Sequence, residues 1–166
     1  MSSSVSPDPE SISAGIGFRF GRVHRALRAR WSAALLDLGL SPPEAAVLRA
    51  ISQHRAPDGL GVRALARQVG TDPMNAKRLA DRLQERGLLS SGASQNSRRS
   101  RCLTVTDAGM DLACRASLRA QAQESWLQEQ MGPERAHQLS GLLAHLEELL
   151  DIDTAAQELG EMKGAR

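Results

Sequence analysis

Residues 61–109 decide the fold, and they read GVRALARQVGTDPMNAKRLADRLQERGLLSSGASQNSRRSRCLTVTDAG. The first part predicts a short helix, because apolar residues recur on one helical face at Val62, Leu65, Ala66 and Val69. Gly70 is suited to end this helix, and Asp72 to cap the next one. Pro73 suits a first helical position, where a missing N–H costs nothing. The stretch therefore predicts two helices joined by a tight turn.

The second of these helices has an apolar stripe and a polar face. The stripe consists of Ala76, Leu79, Ala80 and Leu83. At about 100° per residue, the side chains that point away from it or flank it are Met74, Arg78 and Asp81, then Asn75, Arg82 and Lys77. A helix that presents Asn, Lys and Arg outward after a Gly-containing turn has what a reader of the DNA major groove requires.

The chain then predicts a β-hairpin. Residues 88–90 and 101–106 have the residue types of strands, and the second run alternates between apolar and polar side chains. Between them, residues 91–100 are small and polar, with Arg98 and Arg99 near the far end. A hairpin tip with arginines and no apolar anchor is suited to phosphates or a minor groove. The predicted fold is mainly α with a small β-hairpin wing, a winged helix-turn-helix.

Charge is unevenly distributed along the chain. The 166 residues carry a net charge of +2, yet residues 60–101 contain nine Lys or Arg against three Asp or Glu, which is +6 and leaves −4 for the rest. Such a local excess is typical of a nucleic-acid-binding surface. A merely solvated basic face is the alternative, and the helix-turn-helix spacing argues against it.

The flanking segments predict further helices. The first runs from residue 16 to about residue 38, with an apolar seam at spacings of three and four formed by Ile16, Phe20, Val23, Leu27, Trp31, Ala34 and Leu38. Ser41 and Glu44 form a capping box for the next helix. After the hairpin, Asp107 is expected to cap a helix that reaches about residue 131, and a final helix follows to about residue 150.

The final helix carries more leucine than its own chain needs. Its apolar stripe consists of Leu139, Leu142, Leu143, Leu146, Leu149 and Leu150. Together with the seam of the first helix, this excess indicates intertwined terminal helices from two chains.

The order LARQVGTDPMNAKRLADRLQERGLL, then RRSRCLTVTDAG, resembles the winged helix-turn-helix of the multiple antibiotic resistance regulator (MarR) family. The family's closing L-x-(L/V)-T-x-x-G run is present as Leu103, Val105, Thr106 and Gly109, and the LGLSPPEAAVLRAI segment of residues 38–51 is also similar to the family. The resemblance implies a homodimer that binds a pseudo-palindromic operator in double-stranded DNA, most often as a repressor. Two departures stand out: Ser97 replaces the Asp that usually braces the wing arginine, and Pro73-Met74-Asn75 replaces a Ser/Thr-rich opening.

This interpretation divides the chain into five parts. They are a disordered tail at 1–15, a first dimerisation helix at 16–40, the DNA-binding lobe at 41–109, C-terminal dimerisation helices at 110–158 and a flexible tail at 159–166.

The DNA contacts follow from residue chemistry. Asn75 is fitted to adenine, and Lys77 and Arg78 to guanine, with phosphate contact as the alternative for each. The other candidates have less specific roles. Arg82 is assigned to the DNA backbone and Arg98 to the minor groove. Phosphate contacts are assigned to Arg99, Arg101 and the Thr71 hydroxyl. Met74 is expected either to contact a thymine methyl or to fill the turn.

The regulatory input has two candidates. Family members often release DNA when a small aromatic anion binds between the two lobes. Such an effector could bind here to one or more arginines of the first helix, with Trp31 as an apolar wall; the candidates are Arg22, Arg25, Arg28 and Arg30. The alternative is that Trp31 packs in the dimer seam and the arginines pair with acidic residues of the partner helix. A redox input through Cys102 and Cys114 is the competing hypothesis, although buried structural thiols are favoured.

Other classes of protein lack their motifs. There is no phosphate-binding Gly-rich loop and no nucleophile elbow, so an enzyme is not predicted. No cofactor or metal site is predicted, since the four His and two Cys are scattered. The opening residues do not resemble a secretory signal and no stretch resembles a membrane span, so a cytoplasmic protein is expected. A winged-helix module that binds another protein and not DNA remains the alternative function.

Overall fold

The computed structural model describes residues 15–54, 59–94 and 97–150. Both predicted tails lie outside these residues, apart from residue 15. The elements in chain order are α1 (Ile16–Ala34), a 3-10 turn (Leu36–Leu38), α2 (Pro42–Gln53), β1 (Leu60–Gly61), α3 (Val62–Val69), α4 (Pro73–Glu85), β2 (Leu89–Ser94), β3 (Ser97–Val105), α5 (Asp107–Met131) and α6 (Pro133–Leu149).

The helix-turn-helix is formed as its turn chemistry predicted. Gly70 ends α3 with a left-handed φ of 66°, and the Asp72 carboxylate accepts a hydrogen bond of 2.9 Å from the backbone N–H of Asn75. Pro73 occupies the first turn of α4. The predicted apolar stripe of α4 is fully buried, at Ala76, Leu79, Ala80 and Leu83. The opposite face of α4 is therefore available to solvent.

The small sheet has one strand more than the sequence predicted. Its order is β1-β3-β2, all antiparallel, with Leu60 opposite Leu103 and Leu89 opposite Val105. β1 was missed because two residues are too short to show strand alternation. β2 and β3 also extend into residues 91–100, which were predicted to be loop, because backbone pairing continues through small polar residues.

The start of α5 corrects a second prediction. Thr106, not Asp107, is the N-cap: its hydroxyl accepts from the Gly109 N–H at 3.1 Å and donates to the Gly87 carbonyl at 2.8 Å. A Cβ at position 109 would overlap the carbonyl oxygen of Leu88. The Thr106–Gly109 pair therefore joins the sheet, the end of α4 and the start of α5.

The hydrophobic core lies in the middle of the chain. Leu48, Leu65 and Leu83 are among its fully buried side chains, and α5 contributes Ala113 and Ala116. By contrast, α1 and α6 have no buried residue. The first helix also ends at Ala34, before the predicted residue 38, because the chain tightens into the 3-10 turn and reverses at Gly39 (φ 60°). Within the described residues, no helix combines the length and apolarity needed to cross a bilayer.

Candidate nucleic-acid interface and adjoining cleft

The outward face of α4 is polar and accessible around one apolar side chain. Met74 is 72% exposed, and Lys77, Arg78 and Arg82 are exposed as well. Because the apolar stripe fixes the rotation of the helix against the core, these side chains share one solvent-facing surface. The predicted outward direction is confirmed for Met74, Lys77, Arg78 and Arg82, whereas Asn75 and Asp81 are only half-exposed.

Thr71, Asn75 and Arg78 form a chain of hydrogen bonds along this surface. The Asn75 side-chain amide donates to the Thr71 hydroxyl oxygen at 2.8 Å, and the Arg78 guanidinium donates to the Asn75 side-chain carbonyl at 2.8 Å. The Asn75 backbone is itself held by the Asp72 cap. Three predicted contact residues are thus connected before any ligand binds.

The other cations of α4 have acidic partners. Lys77 pairs with Asp81 at 2.6 Å, one helical turn away. Arg82 and Arg86 lie 3.6 and 3.7 Å from the Glu44 carboxylate of α2. Because Glu44 and the two arginines lie on different helices, these ion pairs connect the C-terminal half of α4 to the start of α2.

Glu44 has two structural roles at once. Its carboxylate accepts a hydrogen bond from the Ser41 backbone N–H at 2.9 Å, as the predicted capping box requires, and a further one from the Ser41 hydroxyl at 2.6 Å. Its side chain is only 12% exposed. Burial raises its pKa, but the Ser41 hydrogen bonds and the charges of Arg82 and Arg86 outweigh this, so the pKa of Glu44 lies below its ordinary value.

The wing carries the remaining predicted cations. Arg98, Arg99 and Arg101 lie on β3, and Arg101 is paired with Ala93 of β2. Their side chains lie outside the part of the structure that is described, so their contacts with DNA remain predictions.

A cleft of about 790 Å³ lies beside α4, between α1, α2, the α3–α4 turn and α5. Its apolar wall includes Trp31, as predicted, with Leu27 and Leu127. Its titratable lining is His24, Arg28, Arg49, Arg78, Arg82 and Glu124. Four arginines against one carboxylate make the cleft suited to an anion.

The predicted effector residues are only partly brought together. Arg28 and Trp31 line the cleft, whereas Arg22 and Arg25 do not, and Arg30 stacks on Trp126 with its guanidinium carbon 3.8 Å from the ring centroid. The arginines of α1 recur at every two or three residues, so they point in different directions and only some of them face α2 and α5.

Sequence reasoning missed two polar residues of the cleft. The Arg49 Nε and the Gln123 Oε1 are buried without a hydrogen-bond partner. Both residues line the cleft. Buried polar atoms are usually satisfied, so such a pair marks a place where a ligand or water is expected. The one available signal was an arginine between apolar residues of α2, at Leu48 and Ala50.

The two cysteines differ in environment. Cys102 is buried in β3, as predicted for a structural thiol, but Cys114 is exposed on α5, and neither forms a disulfide. The prediction of two buried thiols is therefore wrong for Cys114, which lies on the solvent side of its helix. Among the described residues, no group of three or more His, Cys, Asp or Glu is placed to hold a metal ion.

Comparison with known proteins identifies a family and relatives of one class. The family model described as "MarR family" matches residues 40–100. The HTH-type transcriptional repressor Rv2887 of Mycobacterium tuberculosis is 38% identical over 103 residues, which are 62% of this chain and 72% of that protein.

Solved structures of two proteins are also similar to the chain. The crystal structure of Rv2887 with salicylic acid has a TM-score of 0.61 at 31% identity, covering 80% of this chain and 96% of that one. Its complex with DNA has a TM-score of 0.61 at 27% identity, covering 80% and 97%. CouR from Rhodococcus jostii RHA1 bound to p-coumaroyl-CoA has a TM-score of 0.69 at 27% identity, covering 81% and 92%.

Proposed function

The chain belongs to the MarR family, and we propose that it is a cytoplasmic, sequence-specific DNA-binding repressor that acts as a homodimer and releases its operator when an anionic effector binds. The observation that carries this proposal is the accessible polar face of α4, with Lys77, Arg78 and Arg82 on one surface. That face lies within a segment of net charge +6, and double-stranded DNA is the polyanion whose major groove admits a helix.

The candidate residues divide into those that contact base edges and those that contact phosphates. Arg78 and Lys77 are the candidates for base edges, and exposed Met74 is placed to meet a thymine methyl. Arg82 and the Thr71 hydroxyl are candidates for phosphates, and the wing arginines Arg98, Arg99 and Arg101 extend the positive charge to a neighbouring groove. The solved DNA complex of Rv2887 supports this assignment of partner.

The dimer uses the two helices that have no fully buried residue within one chain. α1 exposes Ile16, Phe20 and Val23, and α6 exposes Leu142 and Leu149. Apolar faces of this extent are typical of an interface, and a second copy presents the same two faces in a symmetric arrangement. We therefore keep the division into a dimerisation lobe at 16–40 and 110–158 and a DNA-binding lobe at 41–109, of which residues 55–58, 95–96 and 151–158 lie outside the described part of the chain.

The effector binds in the cleft beside α4. Arg28 and Arg49 supply positive charge, Trp31 supplies an aromatic wall, and the unpartnered Gln123 Oε1 accepts from a donor such as a phenolic hydroxyl. An aryl carboxylate that also carries a hydroxyl group has all the complementary groups. Salicylic acid, the ligand named for Rv2887, is such a compound, and p-coumaroyl-CoA, the ligand named for CouR, shares its phenolic hydroxyl but holds the carboxyl group as a thioester.

Selection from a randomised duplex library tests the proposal. The dimeric protein is expected to enrich a pseudo-palindrome with half-sites about 34 Å apart, and salicylate is expected to reduce binding to that duplex. Arg49→Ala is expected to keep DNA binding and lose the response to salicylate, with the exposed Arg135→Ala as a matched control. If no sequence is enriched, the repressor function is wrong. If a sequence is enriched and Arg49→Ala still responds as wild type does, the effector site is wrong.

A further inference from the structure

We infer that Asn75 does not itself read a base but holds Arg78 in the orientation in which Arg78 reads one. This inference rests on the proposed function, because it assigns a positioning residue within the same DNA-binding surface. It also replaces the sequence prediction that Asn75 contacts adenine directly.

The hydrogen bonds of Asn75 are the first argument. Its side-chain carbonyl accepts from the Arg78 guanidinium at 2.8 Å, and its amide nitrogen donates to the Thr71 hydroxyl at 2.8 Å. An asparagine that reads adenine uses both of these groups at once, the carbonyl for N6 and the amide for N7. Each group keeps one further lone pair or hydrogen, so reading adenine would require Asn75 either to share both groups between two partners or to give up its contacts with Thr71 and Arg78.

The remaining capacity of Arg78 is the second argument. A guanidinium has five N–H donors in a rigid plane, and one contact with Asn75 leaves the others free for the O6 and N7 acceptors of guanine. A long exposed side chain held in one orientation loses less conformational freedom on binding than an unrestrained one. The hydrogen bond from Arg78 to Asn75 therefore restricts the Arg78 guanidinium to an orientation suited to a base contact.

The anchoring of Asn75 is the third argument. Its backbone N–H bonds to the Asp72 carboxylate, and its side chain bonds to Thr71, so it is fixed at two points at the start of α4. The Thr71 hydroxyl accepts from Asn75 and keeps its own hydrogen for donation to a phosphate. Thr71, Asn75 and Arg78 thus connect a contact with a DNA phosphate, made by Thr71, to a contact with a base, made by Arg78.

Lys77 provides an internal control. It lies on the same exposed face, but its partner is Asp81, and neither residue takes part in the Thr71–Asn75–Arg78 hydrogen bonds. Asp81→Asn weakens that pair and leaves Arg78 untouched. Any effect of Asn75 that is specific to Arg78 should be absent from Asp81→Asn.

Randomised-duplex selection tests the inference, with the full-length dimer as wild type, Asn75→Ala, Arg78→Ala, the double variant and Asp81→Asn. Arg78→Ala is expected to lower the preference at one base position by about 10-fold or more. Asn75→Ala is expected to lower the preference at that same position, and the double variant to resemble Arg78→Ala alone. Asp81→Asn is expected to keep the preference at that position.

A second pair of variants separates positioning from a general structural effect. Asn75→Asp keeps an acceptor for Arg78, so it should regain preference at that position although its added negative charge weakens binding to every duplex. Thr71→Ser should behave as wild type does, whereas Thr71→Val should resemble a mild form of Asn75→Ala. Thermal unfolding by circular dichroism should be nearly unchanged for Asn75→Ala, because the Asp72 cap bonds to the backbone of residue 75.

Three results would overturn the inference. The first is loss of preference in Asn75→Ala at an adenine position different from that of Arg78, with effects that multiply in the double variant. The second is an Asn75→Ala variant with wild-type preference at every position. The third is absence of any enriched sequence for the wild type, which overturns the proposed function as well, whereas the first two leave it standing.

Discussion

The central lobe and the terminal helices of this protein carry similar densities of leucine, isoleucine and alanine but use them differently. Between α2 and β3, most of the described apolar residues are buried, and Leu48, Leu65 and Leu83 are completely so. In α1 and α6 no residue is buried, and Ile16 and Leu142 are 82% and 63% exposed. The difference teaches that helical periodicity shows which face is apolar but not which chain covers it.

The central lobe covers its own faces because short connections bring its elements together. Gly70, Gly87 and Gly39 all adopt a left-handed conformation at helix ends, so the chain reverses within a few residues. The terminal helices contact the rest of the described chain over only part of their surface, as at Trp31, and the apolar side chains at Ile16 and Leu142 stay exposed for a second copy.

The largest effect is expected for Gly109→Ala, which tests whether the central lobe depends on its close contacts. The new Cβ would overlap the Leu88 carbonyl, and no flexible side chain can give way there. We expect a loss of about 3–5 kcal/mol in unfolding free energy, measured by denaturant titration followed by circular dichroism. Gly141→Ala in α6 is the matched control, since a Cβ there meets nothing within 4 Å, and it should be neutral or stabilising by about 0.5–1 kcal/mol. Equal effects at both positions would contradict the comparison.

Truncation of one core leucine and of two leucines in α6 tests the comparison directly. Leu48→Ala creates a cavity in the core and is expected to cost about 2–5 kcal/mol. Leu142→Ala combined with Leu146→Ala should instead leave the lobe folded and shift the protein from dimer to monomer, as measured by size-exclusion chromatography with light scattering at several concentrations. An unchanged dimer would mean that α6 is not the interface.

Thr106→Val is expected to have an intermediate effect. It removes the hydroxyl that caps α5 and bonds to the Gly87 carbonyl, so we expect a loss of about 1–2 kcal/mol in unfolding free energy. Thr104→Val is the control, because its hydroxyl lies 2.7 Å from the hydroxyl of the exposed Ser90 across the sheet. If the two variants are equally stable, the hydrogen bonds of the Thr106 hydroxyl do not contribute to folding stability.

The smallest effect is expected in the dependence of folding stability on acidic pH. The folded pKa of Glu44 lies below its ordinary value, so its contribution is fully present above the unfolded pKa and is lost as the pH falls through the folded pKa. Glu44→Gln should therefore lower stability at neutral pH by about 1 kcal/mol and weaken its dependence on acid pH, measured by thermal unfolding between pH 7 and pH 3. Glu148→Gln, which is exposed on α6, should keep the wild-type profile. A wild-type profile for Glu44→Gln would contradict the assignment.

The sequence predicted what depends on neighbours in the chain. Asp72 before Pro73 and Ser41 before Glu44 are local capping signals, and both formed as expected. The apolar stripe of α4 fixed which side chains face outward, so the exposed candidates for DNA contact were found before the structure.

What the sequence did not predict depends on packing between distant segments. β1 exists only because β3 pairs with it, and the Arg49 Nε is buried only because α1 and α5 enclose the cleft beside α2. The role proposed for Asn75 also depends on the structure, since residue type alone favours adenine whereas each of its polar groups already has one partner, in Thr71 and Arg78.

The most direct test of the central claim is a fluorescence-anisotropy titration of the wild-type dimer at several salt concentrations. The two probes are the duplex enriched by selection and a shuffled duplex of the same composition. The account predicts tighter binding to the enriched duplex, by roughly 10³-fold or more, and a steep linear fall of log K with log salt concentration as lysines and arginines displace counterions. Equal binding to both duplexes, or no binding at low salt, would contradict the claim that α4 and the wing form a sequence-specific DNA interface.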